Sequence, residues 1–126
     1  MNEWAMIVAI GSGGAIGTLL RYGVGKLLER KGKPTFYGTL IVNLVGCLSI
    51  GVVMGLHWNE ENIAAYAFFA TGILGGLTTY STLNVQKVTL RTSASRLTLV
   101  VYLIATYAGG LLATALGALI TNLLIT

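Results

Sequence analysis

Residues 62–86 of this chain, "NIAAYAFFATGILGGLTTYSTLNVQ", contain no charged side chain. That run exceeds the ~20 residues that carry a helix across the hydrocarbon core of a bilayer. Stretches at roughly 4–25, 36–56 and 97–124 are equally long and apolar, with Arg21 as their one charge. Only 10% of the 126 residues are charged, where a soluble domain carries about 25%. The mean hydropathy is +0.79. Too little polar side chain is present to coat a water-facing surface, so the natural solvent is lipid. There every backbone N–H and C=O must find a partner inside its own segment, which a helix provides. The predicted fold is an all-α membrane protein, a single transmembrane domain over 1–126 with spans at about 4–25, 36–56, 63–86 and 97–124.

The connections differ in charge. "KLLERKGKPTFYG" holds the only proline, Pro34; "HWNEEN" is short and acidic; "QKVTLRTSASR" is basic. An even number of spans puts both termini and the acidic loop on one side, with Glu3, Glu60 and Glu61 and no lysine or arginine. The other side carries Lys26, Arg30, Lys31, Lys33, Lys87, Arg91 and Arg96. The positive-inside rule then makes loops 26–35 and 87–96 cytoplasmic and both termini external. The formal charge of +4 reads as topology and contact with anionic lipid, not nucleic-acid binding. Glu3 stands where a secretory signal carries lysines, so the N-terminus is expected to belong to the mature protein. One cysteine, Cys47, excludes an intrachain disulfide and a cysteine-rich metal site.

Small residues recur four apart: Gly13 and Gly17, Gly51 and Gly55, Gly72 and Gly76, then Gly109, Ala113 and Gly117. Such spacings let helix backbones approach closely in lipid, within a subunit or between subunits. Polar residues inside the spans are more telling. Thr39 and Asn43 share a helix face with Cys47, and an unpartnered amide in lipid is costly. Asn43 therefore either bonds across a helix interface or faces a polar path. Arg21 lies near the basic side, where it either snorkels to headgroups or lines a vestibule that concentrates anions. His57 and Trp58 fit an interfacial belt.

In the middle of the third span, "GILGGLTTYSTLN" sets two adjacent glycines before five consecutive hydroxyl residues, Thr78 to Thr82. A helix break at Gly75–Gly76 frees carbonyls that can hold a hard cation, and hydroxyls that heal the backbone or line a path. Irregular backbone survives at that depth only when buried in protein or facing a cavity. No catalytic constellation accompanies it: no acid sits inside a span, and no serine has histidine or lysine close by in sequence.

"GGAIGTLLRYG" (13–23), "GTLIVNLVGC" (38–47), "TGILGGLTTYSTL" (71–83) and the final "TALGAL" together resemble the small bacterial fluoride channels, the Fluc or CrcB family, over essentially the whole chain. The resemblance implies a four-helix subunit paired with an antiparallel copy, a dual-topology dimer with two narrow pores in the inner membrane, exporting fluoride passively to limit its toxicity. It implies an anion path through Arg21, Thr39, Asn43, Tyr80, Ser81, Thr82, Leu83 and Thr114. Main-chain carbonyls of Gly75 and Thr78 from both subunits would hold a structural sodium ion at the dimer centre. The family's pattern has phenylalanine where this chain has Tyr80 and Leu83, and hydroxyls at Asn84 and Gly110. Tyrosine keeps the electropositive ring edge that attracts an anion, whereas leucine has none. The one-sided charge also disfavours insertion in both orientations. Together these departures lead to the expectation that the chain pairs with a homologous second subunit that supplies the missing ring. A non-conducting accessory subunit is the alternative. A small proton-coupled multidrug exporter is disfavoured, since that chemistry needs a carboxylate within the first span.

Overall fold

The computed structural model describes residues 2–93 and 95–125, and every regular element among them is helical. Helix α1 (Glu3–Arg30) begins where the Asn2 side chain accepts the Ala5 N–H at 2.7 Å, satisfying one of the orphan donors of the first turn. It ends in a left-handed turn at Gly32, φ +72°, with Lys33 N–H bonding Leu28 C=O and Gly32 N–H bonding Glu29 C=O. That paired closure needs a positive φ, which glycine adopts without strain. Pro34 follows directly and leads into α2 (Thr35–Gly55). A single turn, α3 (Trp58–Glu61), precedes α4 (Ile63–Ala65), whose first turn is capped by the Asn62 carboxamide.

From Tyr66 to Leu74 the chain winds as a π-helix, then resumes α geometry as α5 (Gly75–Leu77). Residues 78–80 are not helical, and Thr78 is extended at φ −83°, ψ 157°. Helices α6 (Ser81–Ser93) and α7 (Arg96–Ile125) complete the chain. Four stretches are long and apolar enough to cross a membrane: Glu3–Arg30, Thr35–Gly55, Ile63–Ser93 and Arg96–Ile125. The interruption begins two residues after the glycine pair, at Thr78, because Gly75 and Gly76 are themselves helical. Helix also persists through Lys87 to Ser93, across much of what the charges alone suggest is a loop.

Packing follows the small-residue spacings. Helix α1 lies on the π segment and α5, and α2 lies on α7. At the first contact Gly13 faces Gly72 and Ile73, and Gly76 faces Gly14; a Cβ on Gly17 would collide with the Ile73 carbonyl and come within 2.7 Å of the Leu77 nitrogen. At the second, a Cβ on Gly51 would strike the Thr114 carbonyl and one on Gly117 the Leu48 carbonyl. Backbone meets backbone with no side chain between, as close helix association in lipid requires. Thr121, 4% exposed, adds a hydrogen bond across this interface to the Val52 carbonyl at 3.2 Å.

Large side chains point the other way. Leu111, Leu112 and Leu124 are 76%, 71% and 80% exposed. A protein with glycine inside and leucine outside has hydrocarbon as its solvent. The exception is a compact apolar cluster between α6, α7 and the start of α2, where Leu83, Leu90 and Tyr102 pack with Phe36, Leu40 and Leu99.

Candidate ion-path site

The interrupted segment is hydrogen-bonded to α2 through the Asn43 side chain. Asn43 Nδ2 donates to the Thr79 carbonyl at 3.0 Å, and its Oδ1 accepts the Thr79 N–H at 2.8 Å. The amide thus pairs with both polar groups of one residue, as a neighbouring strand would. Of the two alternatives open to Asn43 in the sequence, the bond across an interface is present. It does not exhaust the amide, which carries a second N–H and a second lone pair.

These bonds change what becomes of nearby carbonyls. In an unbroken α-helix the Thr79 N–H would bond the Gly75 carbonyl and the Thr82 N–H the Thr78 carbonyl. Here the first goes to Asn43, and the second goes to Thr79 Oγ1 at 3.3 Å. Side chains have taken both donors, and the Gly75 and Thr78 carbonyls are released from their helical partners. Thr78 itself heals the end of α5: its N–H and its hydroxyl both donate to the Leu74 carbonyl, at 3.0 and 2.9 Å. Its methyl group rests on Gly46, where a Cβ would collide with it. At the start of α6 the Thr79 hydroxyl lies 3.3 Å from that of Ser81 and 3.2 Å from that of Thr82. A row of hydroxyls in an apolar span is thereby explained in large part by the backbone they repair.

Beside the interruption is an open cavity of about 600 Å³. Asn43, Gly46 and Cys47 of α2 form one wall and Thr106 and Tyr107 of α7 another, with Gly75 and Thr78 to Tyr80 at the interruption. The N-terminus of α6 opens beside it, and the dipole of a helix start favours an anion. The cavity therefore offers donors and a positive end of a helix in surroundings otherwise apolar.

Of the residues singled out from sequence, Asn43, Thr78, Tyr80 and Gly75 line this cavity, and Leu83 touches it while only 3% exposed within the apolar cluster. Ser81 and Thr82 belong to the hydroxyl group at its edge. Thr39, 5% exposed, is buried outside the cavity lining. Thr114 bonds its own helix at the Gly110 carbonyl, 2.9 Å away, and Arg21 is on α1, which contributes no wall. Within one subunit Arg21 and Thr114 do not line the cavity with Asn43, while Thr39 lies one helical turn from Asn43 on α2. Four further residues escaped the sequence reading. Tyr102 donates its hydroxyl to Gln86 Oε1 at 2.7 Å, and Thr106 and Tyr107 add polar groups on the α7 wall. The signal for Tyr102, Thr106 and Tyr107 was "YLIATY", in which two hydroxyls follow the first by four and five residues, about one helical turn.

A helical multi-pass membrane protein, with a polar interruption in its third span facing a cavity, is the class that fold and site define. Residues 8–118 match the model of the family described as "CrcB-like protein, Camphor Resistance (CrcB)". The chain belongs to that family. A protein of Chloroflexus aurantiacus named "Fluoride-specific ion channel FluC" is 39% identical over 114 residues, covering 88% of this chain and 90% of the relative. One of the same name from Pseudomonas fluorescens is 40% identical over 121 residues, 94% of this chain and 98% of the relative. In Lactobacillus delbrueckii subsp. bulgaricus, "Fluoride-specific ion channel FluC 2" is 36% identical over 122 residues, 94% of this chain and all of the relative.

Proposed function

We propose that this chain is a subunit of a fluoride-selective ion channel that lets fluoride leave the cell passively across the inner membrane. The observation that carries this function is a helix interruption held open beside a donor-bearing cavity, in a chain that aligns nearly end to end with proteins named as fluoride channels. Fluoride is small and tightly hydrated, so a path that passes it must replace its water with donors. Asn43 retains an N–H and Tyr80 carries a hydroxyl on the cavity, and the N-terminus of α6 lies beside it.

One subunit supplies only part of a path. The cavity is open on one side, and Arg21, Thr39 and Thr114 are outside it. The proposed assembly is an antiparallel pair in which a second subunit closes the open face. The third span of each subunit, broken at residues 78–80, would meet its counterpart there. Gly75 and Thr78 would then hold a sodium ion through their main-chain carbonyls. Those carbonyls suit a hard cation, having lost their helical donors, and Gly75 is exposed on the open face. Bound sodium would offset the mutual repulsion of carbonyl dipoles brought together from two subunits.

The partner is proposed to be a homologous second subunit of opposite orientation. Seven basic residues lie on the side of loops 26–35 and 87–96, with both termini outside, and Leu83 lacks an aromatic edge. The decisive test is fluoride efflux from liposomes, read with a fluoride electrode against a chloride control. Fluoride release with chloride retained supports a channel formed by this chain alone. Release only when a homologous subunit is added supports the pair. Silence in both cases, from folded protein, refutes conduction and leaves an accessory role. Replacing sodium by N-methylglucamine throughout purification should abolish release or dissociate the dimer if the cation is structural.

A further inference from the structure

Lys87 belongs by sequence to a basic loop, but it sits on α6, half-buried, with its ammonium between two tyrosine rings. Nζ is 5.8 Å from the centroid of Tyr80 and 5.4 Å from that of Tyr107, both within reach of a cation–π attraction. Both rings border the cavity beside the interruption. The placement makes this possible: Tyr80 immediately precedes α6, Lys87 lies about two turns into that helix, and helix side chains lean towards the N-terminus.

We infer that Lys87, clamped between Tyr80 and Tyr107, is the charged entry station of the cavity, attracting a small hard inorganic anion and passing it to the donors around Asn43. This rests on the channel function proposed above. Three observations carry it. Among the described residues no carboxylate forms an ion pair with this charge, and the four acidic side chains, Glu3, Glu29, Glu60 and Glu61, lie on α1 and α3. Glu29 is itself paired with Lys26. The ring faces hold the ammonium through their quadrupoles without cancelling its charge, which therefore remains available to an anion. Finally, the rings on this cavity are Tyr80 and Tyr107, while Leu83 is turned into the apolar cluster. An ammonium is a compact, strongly hydrated point charge with three donors, matched to a small anion that sheds water reluctantly. In a cleft with low-dielectric walls such a charge raises the local concentration of anions and the rate at which they enter.

The test is fluoride efflux from neutral-lipid vesicles, with the homologous subunit added if the chain alone is silent. Measurements are made at subsaturating fluoride in about 0.01 M and about 1 M impermeant salt, where the Debye length falls from about 30 Å to about 3 Å. Lys87→Gln should slow initial efflux about tenfold at low salt and by less than about twofold at high salt. Lys87→Arg should retain most of the wild-type rate, and Tyr107→Leu, which loosens the clamp but keeps the charge, should fall between. Should Lys87→Gln not reconstitute, the Tyr107→Leu and Lys87→Arg variants carry the same comparison. Lys87→Gln efflux equal to wild type at low salt overturns the inference. So does a loss that is the same at both salts and not rescued by arginine, which is the mark of a structural role. Wild-type vesicles that release no fluoride, with or without the second subunit, overturn the channel function itself and this inference with it.

Discussion

Replacing Asn43 by leucine removes the side-chain hydrogen bonds that hold the interrupted segment against α2. Two hydrogen bonds are lost, at 2.8 and 3.0 Å. Interhelical side-chain bonds in a membrane protein average about 0.6 kcal/mol, which sets a floor of about 1.2 kcal/mol for the pair. Hydrogen bonds in general contribute about 1 kcal/mol each, and a buried polar group left unpaired costs about 1–3 kcal/mol. The Thr79 N–H recovers part of this by rejoining the helix at Gly75, which restores the unbroken winding. The expected destabilisation is about 2–3 kcal/mol. It should be measured by denaturation in mixed micelles followed by far-ultraviolet circular dichroism. Ser12→Ala is the control, because the Ser12 hydroxyl bonds only carbonyls of its own helix, at Val8 and Ala9. Asn43→Asp separates geometry from charge: it keeps the acceptor for the Thr79 N–H but sets a carboxylate against the Thr79 carbonyl and beside the cavity. Anion flux should vanish in Asn43→Asp even where stability is partly retained. If Asn43→Leu unfolds within about 0.5 kcal/mol of Ser12→Ala, the amide does not hold the interruption and the reasoning fails.

Other outcomes follow from the packing. Gly17→Ala must push α1 away from the π segment and should destabilise by about 1–3 kcal/mol, while Gly23→Ala, which meets nothing within 4 Å, should be neutral or stabilising by up to about 1 kcal/mol. Equal melting curves for the two variants would show that the glycine contact is not tight. Thr121→Val removes the bond to Val52 and should lower stability by about 0.6–1 kcal/mol, read in the same denaturation assay. No change would show that this hydroxyl is satisfied by its own helix alone. Thr78→Val withdraws the second donor from the Leu74 carbonyl while keeping the methyl on Gly46; faster amide hydrogen exchange near residues 78–80 is expected, and unchanged exchange would count against a healing role.

Much of the site was legible because lipid makes polarity expensive. An asparagine and a row of hydroxyls inside apolar spans had to have partners, and the structure pairs Asn43 with Thr79 in that row. Their particular roles were not legible. Asn43 bonds the main chain of Thr79, and a main-chain partner leaves no trace in residue identity. Thr78 turns its hydroxyl back onto Leu74, a local bond that composition cannot distinguish from a path-lining one. Lys87 read as a loop charge because the basic residues end the apolar run, yet the rings that hold it come from both sides of the α6–α7 pair.

The sequence by itself determined four helical spans, because length and apolarity in a solvent without hydrogen-bonding partners leave the backbone no other open-chain structure. It also determined where helices approach most closely, since only glycine lets backbone touch backbone. The tertiary structure decided which glycines meet: Gly13 and Gly17 against the third span, Gly51 against α7. It decided that Tyr66–Leu74 winds as a π-helix and that the third span is interrupted at residues 78–80 although the glycine pair is at 75 and 76. Helix geometry at such points is set by competition for donors between a residue's own turn and a neighbouring helix, and that competition exists only once the helices are packed.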